Sequence, residues 1–248
     1  MNFSYRRYYL IAFFSLVPLA YVVGQFNDSI DYYVYYNSSG AFTKTNDQRS
    51  SVFNNTFKFS VNKKSVSFHT SNSWLYGKQS NVKINNDFSS ALEANFLKNQ
   101  RKIYYWALGT FDKSFSLKIN KRFQIGAGPG WTAIDKKSLV LVLSDGIIYE
   151  RVDLTDAERG QVTYSTWRNS FRIKYRWDIT EVIILDGMAF FQPSLSQWED
   201  QIIKSTTTLA FKIKKWLSLT SGVTYNKITL TNRENLLVTY GIILESYF

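Results

Sequence analysis

The sequence has 248 residues, no cysteine and a formal net charge of +11 at neutral pH. The lack of thiols excludes a disulfide framework and any thiolate nucleophile or metal ligand, and a single histidine among scattered carboxylates leaves no metal-ligand spacing. One fifth of the residues are charged and 17% are aromatic, and beyond residue 24 no run is apolar for the 18 residues that would signal a helical membrane span.

In chain order, the first element is a leader. Arg6 and Arg7 precede an apolar run from Leu10 to Val23, broken by Ser15 and Pro18, and Val22-Val23-Gly24 places small residues before Gln25. A basic start, a short apolar core and a small-residue site predict a cleaved signal peptide over residues 1–24. The run is about 14 residues, short of the roughly 20 that cross a bilayer as a helix. Residues 25–248 are then one domain with a net charge of about +9.

That domain alternates apolar and polar residues. In Phe171-Arg172-Ile173-Lys174-Tyr175-Arg176-Trp177-Asp178 every odd position is apolar and every even one charged. Phe57 to Val61, Phe115 to Asn120 and Leu209 to Lys214 repeat the pattern. Successive side chains of a strand point to opposite faces, whereas a helix would spread these charges around its surface. The pattern predicts strands over 29–37, 52–61, 64–75, 80–90, 102–112, 114–127, 137–151, 164–178, 181–192, 203–213, 216–227 and 235–248. Asp145-Gly146 also reads as a hairpin turn, so the count is ten to twelve. A typical length of about ten residues suits a tilted strand crossing a bilayer.

Asn62-Lys63, Thr180 and Lys214-Lys215 read as tight turns, and 38–51, 152–163, 193–202 and 228–234 as longer polar connections. Outer-membrane barrels have short periplasmic turns and longer outer loops. Asp112-Lys113 and the segment 91–101 run against this alternation. The predicted fold is an all-β, transmembrane, antiparallel up-and-down β-barrel of about twelve strands, with both termini in the periplasm. Tryptophans at 74, 106, 131, 167, 177, 198 and 216 fall mostly near predicted strand ends, as interfacial girdles require. Tyr240, Ile242, Leu244 and the terminal Phe248 share one face of the last strand and form a barrel-assembly signal, although Ser246 interrupts the apolar series.

Several stretches carry a likeness to a known family. They are Lys98-Asn99-Gln100-Arg101-Lys102-Ile103-Tyr104-Tyr105-Trp106, Arg122-Phe123-Gln124-Ile125-Gly126-Ala127-Gly128, Asp145-Gly146-Ile147-Ile148-Tyr149-Glu150, Trp167-Arg168-Asn169-Ser170 and the ending Glu245-Ser246-Tyr247-Phe248. Together they resemble the domain-of-unknown-function 481 family of salt-induced outer-membrane proteins, in a Bacteroidetes-type form, over roughly residues 29–248. The resemblance implies an outer-membrane barrel of unassigned activity and carries over no catalytic or binding residue.

Alternation sends Lys58, Lys83, Lys118, Arg172, Lys174, Arg176, Lys212 and Lys214 toward the lumen, with Asp178, Glu245 and Glu150 beside them. At mid-depth a cation on the lipid face costs about 2–4 kcal/mol, so the inward assignment is physically required. These basic rows form either an anion-attracting passage or an internal network of paired charges. His69 and Ser71 share a face in a stretch, His69-Thr70-Ser71-Asn72-Ser73, that looks like the motif of outer-membrane phospholipase A with Ser73 in place of glycine. Asn85 or Asn86 could orient the imidazole. That face is the lumen side, away from lipid. Gly126, Gly128 and Gly130 suit a bend or close packing better than a phosphate loop, which would need a following helix. Asp153, Asp156 and Glu158 offer a weak calcium site.

The reading is an outer-membrane barrel of structural or passive-transport type with a basic lumen, no catalytic activity, no cofactor and no metal. One alternative is a phospholipase-like lipid hydrolase using His69 and Ser71. Another is a soluble periplasmic β-protein that binds a ligand. Expected partners are the lipid bilayer, lipopolysaccharide and the barrel assembly machinery. No nucleic acid is expected, and the barrel should be a monomer.

Overall fold

The computed structural model describes residues 30–45, 48–63, 65–97, 102–156 and 160–247; the expected leader and Phe248 lie outside them. Fourteen strands follow in order: β1 (Ile30–Thr45), β2 (Gln48–Lys63), β3 (Val66–Gln79), β4 (Val82–Phe96), β5 (Ile103–Ser114), β6 (Ile119–Lys136), β7 (Leu139–Ser144), β8 (Ile147–Asp156), β9 (Gly160–Asn169), β10 (Phe171–Asp178), β11 (Ile183–Pro193), β12 (Gln201–Lys214), β13 (Leu217–Ile228) and β14 (Arg233–Tyr247).

β1 to β7 pair in sequence, β7 pairs with β10, and β10 to β14 continue the ladder. β14 returns to β1 from Tyr33↔Tyr247 to Gly40↔Tyr240, which closes an antiparallel ring of twelve. β8 and β9 are extensions of that ring. β8 continues the line of β7 past Asp145-Gly146, pairing with the first half of β6. β9 pairs with β8 and leads across Ser170 into β10. Each of the twelve predicted strands therefore corresponds to one stave of the wall, two of them in two pieces. At the break, a Cβ on Gly128 would stand 2.1 Å from the Asp145 carbonyl oxygen; glycine there permits the close approach that the staggered wall requires. Among the described residues, the backbone of the second edge of β9 bonds near one level to the chain just past β11, through the Arg168↔Ser194 bridge and a 2.7 Å bond from Leu195 N to the Trp167 carbonyl.

Both ends of the folded chain lie at one end of the barrel, here the near end; the opposite end is the far end. The staves are longer than alternation predicts. Segments 38–51 and 152–163, expected as loops, are largely strand: β1 runs to Thr45 with β2 starting at Gln48, and β8 runs to Asp156 with β9 starting at Gly160. Where water bathes both faces a ladder persists although apolar alternation fades. Sixteen residues at about 3.4 Å each, tilted about 40°, rise about 40 Å, against an apolar band of about 25 Å. The excess stands as a collar. The β5–β6 turn is the four-residue segment 115–118, not Asp112-Lys113.

The outward face carries exposed large apolar side chains around the ring, among them Phe53, Phe68, Leu92, Ile125, Leu219 and Leu236. Such a belt is stable against lipid, and a sheet in lipid must close on itself as this one does. The soluble-protein alternative is thereby overturned. Trp131, Trp177 and Trp216 ring the near end, and Trp74 and Trp198 lie toward the far end. Trp106 corrects the girdle expectation: it points inward and is 3% exposed, because its parity on β5 matches that of buried Tyr104.

Candidate functional site: the barrel lumen

β10 directs Arg172, Lys174, Arg176 and Asp178 inward. The Arg172 guanidinium is buried. It donates to Ser144 Oγ (2.9 Å) and to Glu93 Oε2, and it lies over the Trp106 ring at 5.2 Å. Lys174 Nζ reaches both oxygens of the same carboxylate at 3.1 and 3.2 Å. Asn95 Nδ2 donates to Glu93 Oε1 at 3.2 Å. Glu93 is on β4, four staves from β10 in the ring. One carboxylate clamped by two cations therefore spans a chord of the bore.

The far half is filled. Arg122 donates through Nε and Nη2 to Asp112 Oδ2 at 3.1 and 3.0 Å. Arg168, fully buried, donates to Glu150 Oε1 (3.0 and 2.7 Å), Asp200 Oδ2 (2.6 Å) and the carbonyls of Gln192 and Asp200. These bonds carry β9 across to β11 and the segment before β12, where the backbone ladder is missing. Beyond them, Ile119 and Leu154 meet Ile202 and Ile228 from the facing wall in an apolar cluster. The 115–118 turn tucks into this mouth. Leu117 joins the cluster, and Ser116 N donates to Asp87 Oδ1 at 3.1 Å. The positive φ of Lys118 (60°) lets the turn re-enter β6.

The near half holds a cavity of about 800 Å³. Tyr33, Tyr35, Lys58, His69, Arg176, Asp186, Glu245 and Tyr247 contribute to its lining. Lys58 Nζ lies 4.6 Å above the Tyr35 ring, Tyr33 OH donates to Glu245 at 3.0 Å, and Arg176 Nε sits 3.2 Å from Asp178 Oδ1. Asp186 and Glu245 balance Lys58 and Arg176.

Of the eight cations predicted to face the lumen, Lys58, Arg172, Lys174 and Arg176 lie inside it, and Lys212 is half-buried near the end of β12. Three need correction. Lys83 and Lys118 stand at the far mouth, both over the Phe115 ring at 4.6 and 5.3 Å, and Lys214 is exposed at the last residue of β12. Parity is right for Lys83, but it is the second residue of β4, which starts at Val82 and not at 80, and a cation at the very end of the wall meets water. For Lys118 and Lys214, the turn and a β-bulge between Lys212 and Lys214 break the alternation. Tyr240, Ile242 and Leu244 point outward on β14. The imidazole nitrogens of His69 meet Ser60 Oγ at 2.8 Å and Ser67 Oγ at 3.0 Å, on the lumen side. Asp153 is held by Asn120 (2.9 Å) and Gln161 (3.2 Å), and among the described residues no group of three potential ligands surrounds a metal position.

The sequence reading missed Glu93, Asp112, Asp200, Arg122 and Arg168. Glu93 falls beyond the predicted end of its strand. Arg122 and Arg168 are legible as inward by parity, yet their partners come from other staves.

Residues 37–237 match the profile of a family described as protein of unknown function, DUF481. No curated protein matches the chain. Among solved structures, a NanC porin is similar with a TM-score of 0.52 at 11% identity, covering 86% of this chain and 99% of that one. The translocator domain of the autotransporter NalP from Neisseria meningitidis is similar with a TM-score of 0.47 at 9% identity, covering 88% of each chain. The likeness to NanC is one of fold, that of an outer-membrane β-barrel.

Proposed function

As this chain belongs to the DUF481 family, an outer-membrane β-barrel by its closed, apolar-belted wall, we propose that it is a non-enzymatic structural barrel with a closed bore. The observation that carries this reading is the Glu93 clamp, which ties Arg172 and Lys174 together across the lumen. Fixed positive charge can concentrate anions only while it stays uncompensated. Here one carboxylate compensates part of the row that would have lined a passage and fixes Arg172 and Lys174 in place, and apolar side chains from facing walls stopper the far mouth. The near cavity opens toward the periplasm as a vestibule of balanced charge.

The test is reconstitution in planar bilayers. Wild type is expected to show no steady conductance above empty controls, and a variant with Glu93, Arg172 and Lys174 all replaced by alanine is expected to stay closed at the stoppered far mouth. Steady, anion-selective wild-type current would overturn the closed bore and restore the passive-transport reading. The hydrolase alternative makes a different prediction: phospholipid cleavage lost in His69→Ala. Equal background in wild type and variant is the outcome expected here, since His69 looks into the vestibule and not at lipid.

A further inference from the structure

One outward surface of the wall stands apart. On β5 the outward residues run Ile103, Tyr105, Ala107, Gly109 and Phe111, and the next is Lys113. On β6 they run from Trp131 through Pro129, Ala127 and Ile125 to Phe123, and the next is Lys121. On the neighbouring stave Leu139, Leu141, Leu143, Ile147 and Tyr149 lead to Arg151. Three adjacent staves thus carry an apolar run from the near end and finish it with a cation. Nine residues from Phe123 to Trp131 rise about 23 Å at a tilt of about 40°, close to the roughly 25 Å apolar band of such barrels. The three cations therefore stand at one edge of the hydrocarbon, the edge at the far end.

Register places them together. Phe111 faces Phe123, with ring centroids 4.8 Å apart, and Phe123 faces Arg151. Lys121 is two residues farther out, opposite Asp153. Lys113 is two residues beyond Phe111, opposite Phe88. Diagonal neighbours on adjacent strands lie about 7–8 Å apart, a spacing that two phosphate groups on one headgroup can bridge. Lys113, Lys121 and Arg151 are exposed, and among the described residues no ion pair engages any of them. Asp153, in register with Lys121, accepts from Asn120 and Gln161, and its single charge stands against three cations. The opposite wall differs: there Lys227 lies in register with Glu234.

We infer that Lys113, Lys121 and Arg151 form a docking site for the phosphate groups of a phosphorylated glycolipid of the outer leaflet, its acyl chains lying along Phe111, Phe123 and Ile125. Cations and phosphate make charge-assisted hydrogen bonds, bidentate for the guanidinium. The site requires anions at the far end, on the outer side of the membrane. Three cations with one carboxylate beside them at a hydrocarbon edge repel one another until a further anion lies between them.

The test uses the full-length barrel in detergent, titrated with bisphosphorylated lipid A, a dephosphorylated lipid A and phosphatidylglycerol, with binding read by native mass spectrometry. Wild type should bind the bisphosphorylated lipid at least about tenfold more tightly than either control. The triple variant K113Q/K121Q/R151Q should lose that preference, whereas K136Q/K137Q/K215Q at the near end should keep it. A charge-conserving variant, K113R/K121R/R151K, should retain it and shows that folding is not the variable. Equal binding of dephosphorylated lipid, equal binding of phosphatidylglycerol, or equal loss in the near-end variant would each overturn the proposal.

Discussion

Arg172 and Glu93 lie 79 residues apart in sequence and meet inside the barrel, the guanidinium bonded to the carboxylate and seated over Trp106. Lys174 shares the carboxylate, so its removal strands two cations at once. Breaking a buried pair typically costs about 3–5 kcal/mol, because the surviving charge is left uncompensated. Glu93→Ala should therefore reduce the folded, heat-modifiable barrel sharply, and Glu93→Ala combined with Arg172→Met and Lys174→Met should recover much of it. A denaturant titration in detergent reads both. No recovery in the triple variant would show that the carboxylate matters for a reason other than pairing.

Arg168 holds the seam that backbone pairing leaves open. Replacing it with alanine removes the bonds to Glu150, Asp200 and the Gln192 carbonyl, while the twelve-stave ring keeps its ladder. The expected result is a folded barrel with faster hydrogen exchange and new protease sensitivity confined to 160–168 and 194–200. Global unfolding, or unchanged protection, would show that the seam is held otherwise.

Trp106 lies inside the wall, whereas Trp74, Trp131, Trp167, Trp177, Trp198 and Trp216 are exposed. Brominated phospholipid should quench the belt tryptophans and spare Trp106. Trp106→Phe should accordingly lower the unquenched residue of the emission and leave the quenched part unchanged. Proportional loss of both would place Trp106 on the lipid face.

Deleting Phe248 tests the assembly signal. With Tyr240, Ile242 and Leu244 already outward on β14, loss of the terminal aromatic should leave less folded barrel in the outer membrane and more degraded or periplasmic chain. Cell fractionation and heat-modifiability measure this, and normal amounts of folded barrel would remove Phe248 from the signal.

The staves were legible in the sequence because one face of each meets lipid, which forces alternation along Phe171 to Asp178 and its counterparts. Their ends were not. In Gln48 to Ser51 and around Asp153 both faces can be wet, so the pattern that marks a strand disappears while the ladder continues. Glu93 lies three residues past the predicted end at 90, although Leu92, Ala94 and Phe96 continue the alternation around it. Inward cations such as Arg172 could be read from parity, but parity says nothing of what faces them across the bore. Arg172 and Lys174 therefore read as available for anions, whereas Glu93 from a distant stave already holds both. Trp106 was misplaced for a related reason: a tryptophan near a predicted strand end suggests a girdle until the neighbouring parity of Tyr104 is considered.

The incomplete edge of β9 acts as a depth gauge. Backbone groups without partners cannot sit in hydrocarbon, and across the seam the last tie belongs to Trp167, whose carbonyl accepts from Leu195. Ser165, the next outward residue toward the far end, stands opposite Arg151. Hydrocarbon must therefore stop between Trp167 and Ser165. Main-chain hydrogen bonding alone thus draws a waterline on the wall, and the first cation outside it is Arg151. A bilayer shifted by even one strand repeat toward the far end would drown an open sheet edge, so the barrel's vertical position is set by its backbone as firmly as by its aromatic belts.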